Sequence, residues 1–288
     1  MDEESIGIVL VLISAAGFGT LGIFGIFAAE EGLSIPTVLF LRFALATVIF
    51  WAFLAIRGRF RVLSGRSLAV ALGLGGLGYA TMSGLYFLGL EYLTAGLVAI
   101  VLYTYPAFVV CLIALAHPDR VTSVVAVALA LSITGVALIT GADPAGADPR
   151  GVVIVLGAAL AYALYIVTSQ RALRTLSPET LSAFVMPAAA GSFFLLGTGT
   201  GTLEMPGGVT AWAVVLAIAV LATVIPILTF FAGISRMGAS RASIVSTAEP
   251  AITVALGAAL LGEPVTAVTI VGGILVVAGV VLIERESA

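Results

Sequence analysis

Two ionisable residues lie deep inside long apolar stretches, and any chemistry in this sequence starts with them. Glu249 falls within the run from Ser240 to Leu261, and Arg42 within the run from Ile35 to Ile56. An ionisable side chain in a bilayer interior costs at least about 2.5–3.5 kcal/mol on insertion scales, so its presence there asks for a function. Pro250 follows Glu249, and a proline withholds the N–H that would pair with the carbonyl one turn back, near Ser246. A carboxylate beside freed backbone can bind an ammonium group or take up a proton; it can equally be a buried carboxyl that hydrogen-bonds neighbouring helices. Arg42 has three readings: an ion pair with Glu249, a bidentate contact to a substrate carboxylate, or a side chain that snorkels toward the nearer surface.

Hydroxyl and aromatic residues surround these two in the sequence. Tyr79, Ser83 and Tyr86 share one helical face at offsets of four and three. Tyr103 and Thr104 precede the Tyr105–Pro106 step. Tyr162, Tyr165 and Ser169 form a similar stripe, and Ser243, Ser246 and Thr247 lead to Glu249. Buried hydroxyls need partners, so such stripes face protein or a cavity rather than lipid tails. The expected substrate pathway is therefore Tyr79, Ser83, Tyr86, Tyr103, Thr104, Ser246, Glu249 and Arg42, with Pro106 and Pro250 breaking helices beside it. Plain interhelical packing is the alternative for any one of them. Glu263 and Asp119 read as charges favoured at helix N-termini, and Glu91 as a solvated turn residue.

The elements that must position these residues follow from composition. Of 288 residues, 61% are hydrophobic and 9% charged, against roughly 45–50% and 25% in soluble domains. The chain contains no Lys or Asn and a single Cys, His and Gln. Phosphate-loop lysines, Schiff bases and intrachain disulfides are excluded, and no metal centre or cofactor is expected. Gly73, Gly75 and Gly78 match a dinucleotide fingerprint by chance, because no strand precedes them. An intramembrane enzyme would need a carboxylate pair, a Ser–His dyad or a metal site. The lone His117 beside Pro118 supplies none of these.

Ten segments are long and apolar enough to cross a bilayer: Ile6–Ala29, Ile35–Ile56, Leu68–Leu90, Leu93–Ala116, Thr122–Gly141, Gly151–Ala172, Pro178–Thr200, Thr210–Ser235, Ser240–Leu261 and Val265–Ile283. The fold class is an all-α membrane protein. With the N-terminus inside, the inner loops and C-terminus hold Arg57, Arg59, Arg61, Arg66, Arg120, Arg171, Arg174, Arg236, Arg241 and Arg285, and the outer loops only Arg150. The positive-inside rule then places both termini in the cytoplasm of a multi-pass inner-membrane protein. The acidic start Met1–Glu4 is unlike a signal peptide, so the first helix is read as retained. Trp51 and Trp212 read as interfacial anchors.

Shifted by 144, the sequence matches itself without a gap: Gly7 with Gly151, Phe87 with Phe231, Gly89 with Gly233, Pro106 with Pro250, Gly135 with Gly279. Residues 1–144 and 145–288 are thus expected to be two copies of a five-helix unit. An odd helix count inverts the second copy, which is the architecture of secondary transporters. Leu41–Arg42–Phe43, Ala248–Glu249–Pro250 and Leu261–Gly262–Glu263–Pro264 give the chain a further likeness. It resembles the EamA-type members of the drug/metabolite transporter superfamily over its whole length. In the first copy Tyr105 replaces the Glu of the Glu–Pro pair, and Asp119 stands in place of Glu263.

The resemblance implies export of small neutral or zwitterionic metabolites by alternating access, with amino acids favoured and aromatic or hydrophobic ones first. The alternative is efflux of drugs or toxic compounds, proton-coupled through Glu249. The expected partners are a small-molecule substrate and the lipid bilayer, with no nucleic acid. A monomer suffices, and the sequence leaves the oligomeric state open.

Overall fold

Glycine and proline decide where these helices stop and where they bend. The computed structural model describes residues 3–116, 123–142 and 147–287, so the expectations for Asp119, His117 and the Asp143–Pro144 seam lie outside the described residues. Ten helical spans follow one another. They are α1 (Glu3–Glu30), α2 (Ile35–Ile56), α3 (Gly65–Gly89), α4 (Ala95–Leu102 continuing as Tyr105–Ala116), α5 (Ser123–Ala142), α6 (Pro149–Ala172), α7 (Pro178–Thr200), α8 (Val209–Met237), α9 (Ala239–Ser246 continuing to Leu261) and α10 (Ala267–Ser287). Ser34 and Ser177 start α2 and α7 by accepting the backbone N–H three residues on, each with proline at the first turn.

The two halves pack as copies related by the same offset of 144. Gly7 in α1 lies against Arg236 and Met237 of α8, and Gly151 in α6 lies against Tyr92 and Leu93 just beyond α3. Gly233 meets Val11 as Gly89 meets Val155. Between α5 and α10, a Cβ at Gly135 would lie 2.6 Å from the Gly272 carbonyl, and one at Gly279 would lie 2.6 Å from the Ala128 carbonyl. Each contact maps onto the other by adding or subtracting 144. Small residues let these backbones approach, since lipid supplies no hydrophobic force to press helices together.

Five of the spans are not continuous α-helices, which the apolar runs alone did not reveal; α1 is interrupted at Thr20. Segments Leu74–Tyr79 of α3 and Val220–Val224 of α8 are π-helical. The α4 helix breaks at Tyr103–Thr104 and α9 at Thr247, again 144 apart and each three residues before a proline. Backbone groups freed inside a membrane must find partners. Four side chains from elsewhere in the bundle or along the helix supply them. Ser192 Oγ donates to the Gly76 carbonyl at 2.7 Å, and Thr223 Oγ1 to Ile218 at 2.8 Å. Trp51 Nε1 donates at 2.7 Å to Ala183, the carbonyl orphaned by Pro187. Tyr103 Oη donates at 2.8 Å to Ser246, the carbonyl orphaned by Pro250. Trp51 is thus a helix-to-helix tie between α2 and α7 as well as an aromatic residue near a helix end.

Candidate functional site

The breaks in α4 and α9 bring Tyr103 and Glu249 together. Tyr103 precedes Pro106 by three residues, so the chain turns there and its ring points across to α9. Its hydroxyl lies 2.9 Å from Glu249 Oε2 and 2.8 Å from the Ser246 carbonyl. Glu249 is half-buried, in the first turn of the α9 segment that begins at Ala248. Among the described residues it pairs with no cation.

From Tyr103 an aromatic wall runs across the protein. Ring centroids step from Tyr103 to Tyr105 at 5.9 Å, to Tyr162 at 4.7 Å, to Tyr165 at 6.2 Å, to Tyr79 at 5.4 Å and to Phe43 at 5.6 Å. Tyr79, Tyr105, Tyr162 and Tyr165 are half-buried. The wall ends beside Arg42.

Arg42 is 2% exposed, so it does not snorkel. Nor does it pair with Glu249. Its Nε donates to Thr223 Oγ1 at 2.9 Å, and its Cζ lies 4.8 Å from the Phe43 ring centroid. The π-helical turn of α8 is what presents Thr223 to it. A guanidinium buried without a carboxylate partner is costly, and of the three sequence readings the contact to a substrate carboxylate is the one still open.

Tyr86 stands between the two charged ends. Its side chain is buried, and its hydroxyl lies where a Cβ on Gly22 would be 3.1 Å away. Ser83, one turn back on the same face, is 1% exposed and its Oγ has no hydrogen-bond partner. Thr104 turns its hydroxyl back to the Val101 carbonyl at 2.8 Å and so serves its own helix. Ser246 contributes its backbone carbonyl.

Glu263 has a different role from that of a charge at the start of the helix following it. Its carboxylate reaches α4, accepting from Ala95 N at 2.6 Å and Gly96 N at 3.2 Å. Those are orphan donors of the first turn. The turn between α9 and α10 is thereby tied to α4, the same helix pair that Tyr103 and Glu249 join deeper in the bundle. Gly257 is required beneath it, because a Cβ there would overlap the Glu263 carboxylate.

The model of the EamA-like transporter family matches residues 5–141 and again 149–285. The chain belongs to the EamA-like transporter family. Its EamA repeats are a transporter's and not an enzyme's. An uncharacterized transporter, YcbK, of Bacillus subtilis is 29% identical over 282 residues, covering 94% of this chain and 90% of that protein. The threonine/homoserine exporter RhtA of Escherichia coli is 29% identical over 237 residues, covering 80% and 75%. A solved structure with 18% identity superposes with a TM-score of 0.67 over 99% of both chains, which speaks for the fold.

In this EamA-like transporter, sequence reasoning placed the weight on the third, fourth and ninth helices and undervalued α6 and α8. Tyr105, Tyr162, Tyr165 and Thr223 join the site with them. The Tyr162–Tyr165 stripe was visible as a helical spacing. Thr223 was not, because nothing in an apolar run marks a π-helical turn.

Proposed function

We propose that this EamA-like transporter exports small zwitterionic metabolites, amino acids with aromatic or hydrophobic side chains foremost, by alternating access across the cytoplasmic membrane with both termini inside. One observation carries the reading: a tyrosine wall with a carboxylate at one end and a buried, carboxylate-free guanidinium at the other. Glu249 suits an ammonium group and the rings an apolar or aromatic side chain; Arg42, at the far end of the wall, suits a carboxylate at a separate stage of passage, because an α-amino acid carries both charges on one carbon. The relative named as a threonine/homoserine exporter supports the amino-acid class.

The two halves also differ where alternating access needs them to. On the end away from the arginines, α3 closes against α2 and α7. Tyr79 packs edge-on to Phe43, and Phe43 stacks with Phe193 at 6.1 Å. Phe87 there is 4% exposed. Its counterpart Phe231, in α8, instead lines a cleft of 990 Å³ against the ends of α2 and α7. One repeat is closed where its copy is open, and exchange of the two arrangements would move the opening to the other face.

The test is counterflow in proteoliposomes loaded with single amino acids, with the matching amines lacking a carboxylate alongside. Arg42→Lys should raise KM for the amino acids at least tenfold and leave the amines unchanged, given a bidentate contact worth about 1.5–3 kcal/mol. Transport of amines with equal or better efficiency than amino acids in the unmodified protein would instead favour efflux of organic cations, for which a tyrosine box and one carboxylate are also suited.

A further inference from the structure

The segment after α2 reads Arg57–Gly58–Arg59–Phe60–Arg61–Val62, and it is not helical beyond Gly58. Its alternation sorts into two sides. Arg57, Arg59 and Arg61 line the 990 Å³ cleft between the ends of α2, α7 and α8, whereas Phe60 and Val62 do not. Phe60 instead packs against Trp51 at 5.8 Å, and Val62 is 80% exposed beside Ile56 at 87%. Apolar side chains left this open at the end of a membrane helix place the strap at the bilayer surface, with its arginine side turned to the cleft.

The cleft is amphipathic. Phe53, Leu54, Leu228 and Phe231 form apolar walls, and four arginines face a single acid, Glu179, at the rim. Arg236 is engaged with Glu3 at 3.3 Å. Arg59 and Arg61 have no ion-pair partner among the described residues. We propose that this cleft is a binding site for an anionic phospholipid, its phosphate held by Arg57, Arg59 and Arg61 and an acyl chain laid along Phe53, Leu228 and Phe231. A free phosphate ion would answer the arginines but leave the apolar walls and most of the volume unfilled. A neutral lipid would fill the walls and leave the arginines without a counter-charge. The site is set apart from the tyrosine wall, but it is the same cleft that Phe231 lines at the open end, so a lipid seated there would occupy that opening until the two arrangements exchange.

The full chain in a neutral detergent is titrated with phosphatidylglycerol, with phosphatidylcholine of the same acyl chains, and with inorganic phosphate. Retention is read by native mass spectrometry and melting temperature by light scattering. Phosphatidylglycerol should be retained and raise the melting temperature, while the other two do neither. The variant R57Q/R59Q/R61Q should bind phosphatidylglycerol more than about tenfold more weakly, as expected when three cations beside an anionic headgroup are removed. Changing Arg171 and Arg174, which do not line the cleft, to Gln should leave the affinity unaltered. Thr229→Trp keeps the arginines but narrows the cleft along its apolar wall, and should also weaken retention, which covers the case in which the triple variant misfolds. Unchanged affinity in the triple variant or in Thr229→Trp overturns the proposal. So does equal retention of phosphatidylcholine, or an equal effect of inorganic phosphate at matched concentration.

Discussion

The Tyr103 hydroxyl lies 2.9 Å from Glu249 Oε2 and 2.8 Å from the Ser246 carbonyl, so one phenol faces two acceptors across the break in α9. A phenol has a single proton to donate. An ionised Glu249 competes with the Ser246 carbonyl for it. A protonated Glu249 can itself donate to the tyrosine oxygen, leaving the tyrosine proton for Ser246. The charge on Glu249 and the geometry of the α9 break are thereby linked through one side chain. Tyr86, Tyr105 and Tyr162 are further titratable groups around Glu249 among the described residues, and α1, packed against this part of α9, offers none between Glu4 and Glu30.

If Glu249 holds a substrate ammonium, its protonation removes the attraction. KM for a zwitterionic substrate should rise as pH falls, measured as initial rates in proteoliposomes with equal pH on both sides. Glu249→Gln should show a KM raised about tenfold or more and flat with pH, a change of roughly 1.4 kcal/mol or above for a charge-assisted bond. A pH profile in Glu249→Gln that parallels the unmodified protein would count against the assignment.

Tyr103→Phe keeps the ring and its place in the aromatic wall while removing the proton. The Ser246 carbonyl then loses this donor, a loss of about 1–3 kcal/mol for a buried group. The melting temperature should fall, and transport should drop more than stability does, because the link to Glu249 goes as well. Normal transport at a lowered melting temperature would confine Tyr103 to structure.

Thr223 holds Arg42 and at the same time serves the Ile218 carbonyl of its own π-helical turn. Thr223→Val keeps the shape and removes both bonds, so it should destabilise by about 1–3 kcal/mol and raise KM for carboxylate-bearing substrates. Thr223→Ser keeps the hydroxyl and should restore both. Thermal unfolding and counterflow on the same preparations separate the two effects.

Glu263 and Gly257 act as one unit at the start of α4. Glu263→Ala should cost about 0.5–2 kcal/mol, the range for losing an N-terminal cap. Gly257→Ala should cost a similar amount by displacing the carboxylate. The double variant should be far less harmful than the sum, because neighbours that share one interaction are not additive. Additive losses in a melting-temperature cycle would mean that Gly257 matters for another reason.

Much of the architecture was legible before any coordinates. Ten apolar runs, the offset of 144 and the paired prolines gave the repeat, the helix order and the place of both breaks. The carbonyl freed near Ser246 followed from Pro250 alone, because the missing N–H is a covalent fact. The partners were not legible. Arg42 had three readings at the sequence level, and its contact with Thr223 spans 181 positions. Glu263 reads as a charge at a helix N-terminus, and only the packing shows that the helix is one that begins 168 positions earlier.

What the sequence determined by itself was everything that local chemistry and periodicity govern. Apolar length makes a span, a duplicated odd number of spans inverts the second half, and proline breaks a helix wherever it falls. What only the tertiary structure decided was which group satisfies each freed donor, acceptor and charge. In a membrane those debts are settled between helices rather than with water, so Tyr103 meets Glu249, Arg42 meets Thr223 and Glu263 meets Ala95 by virtue of packing alone.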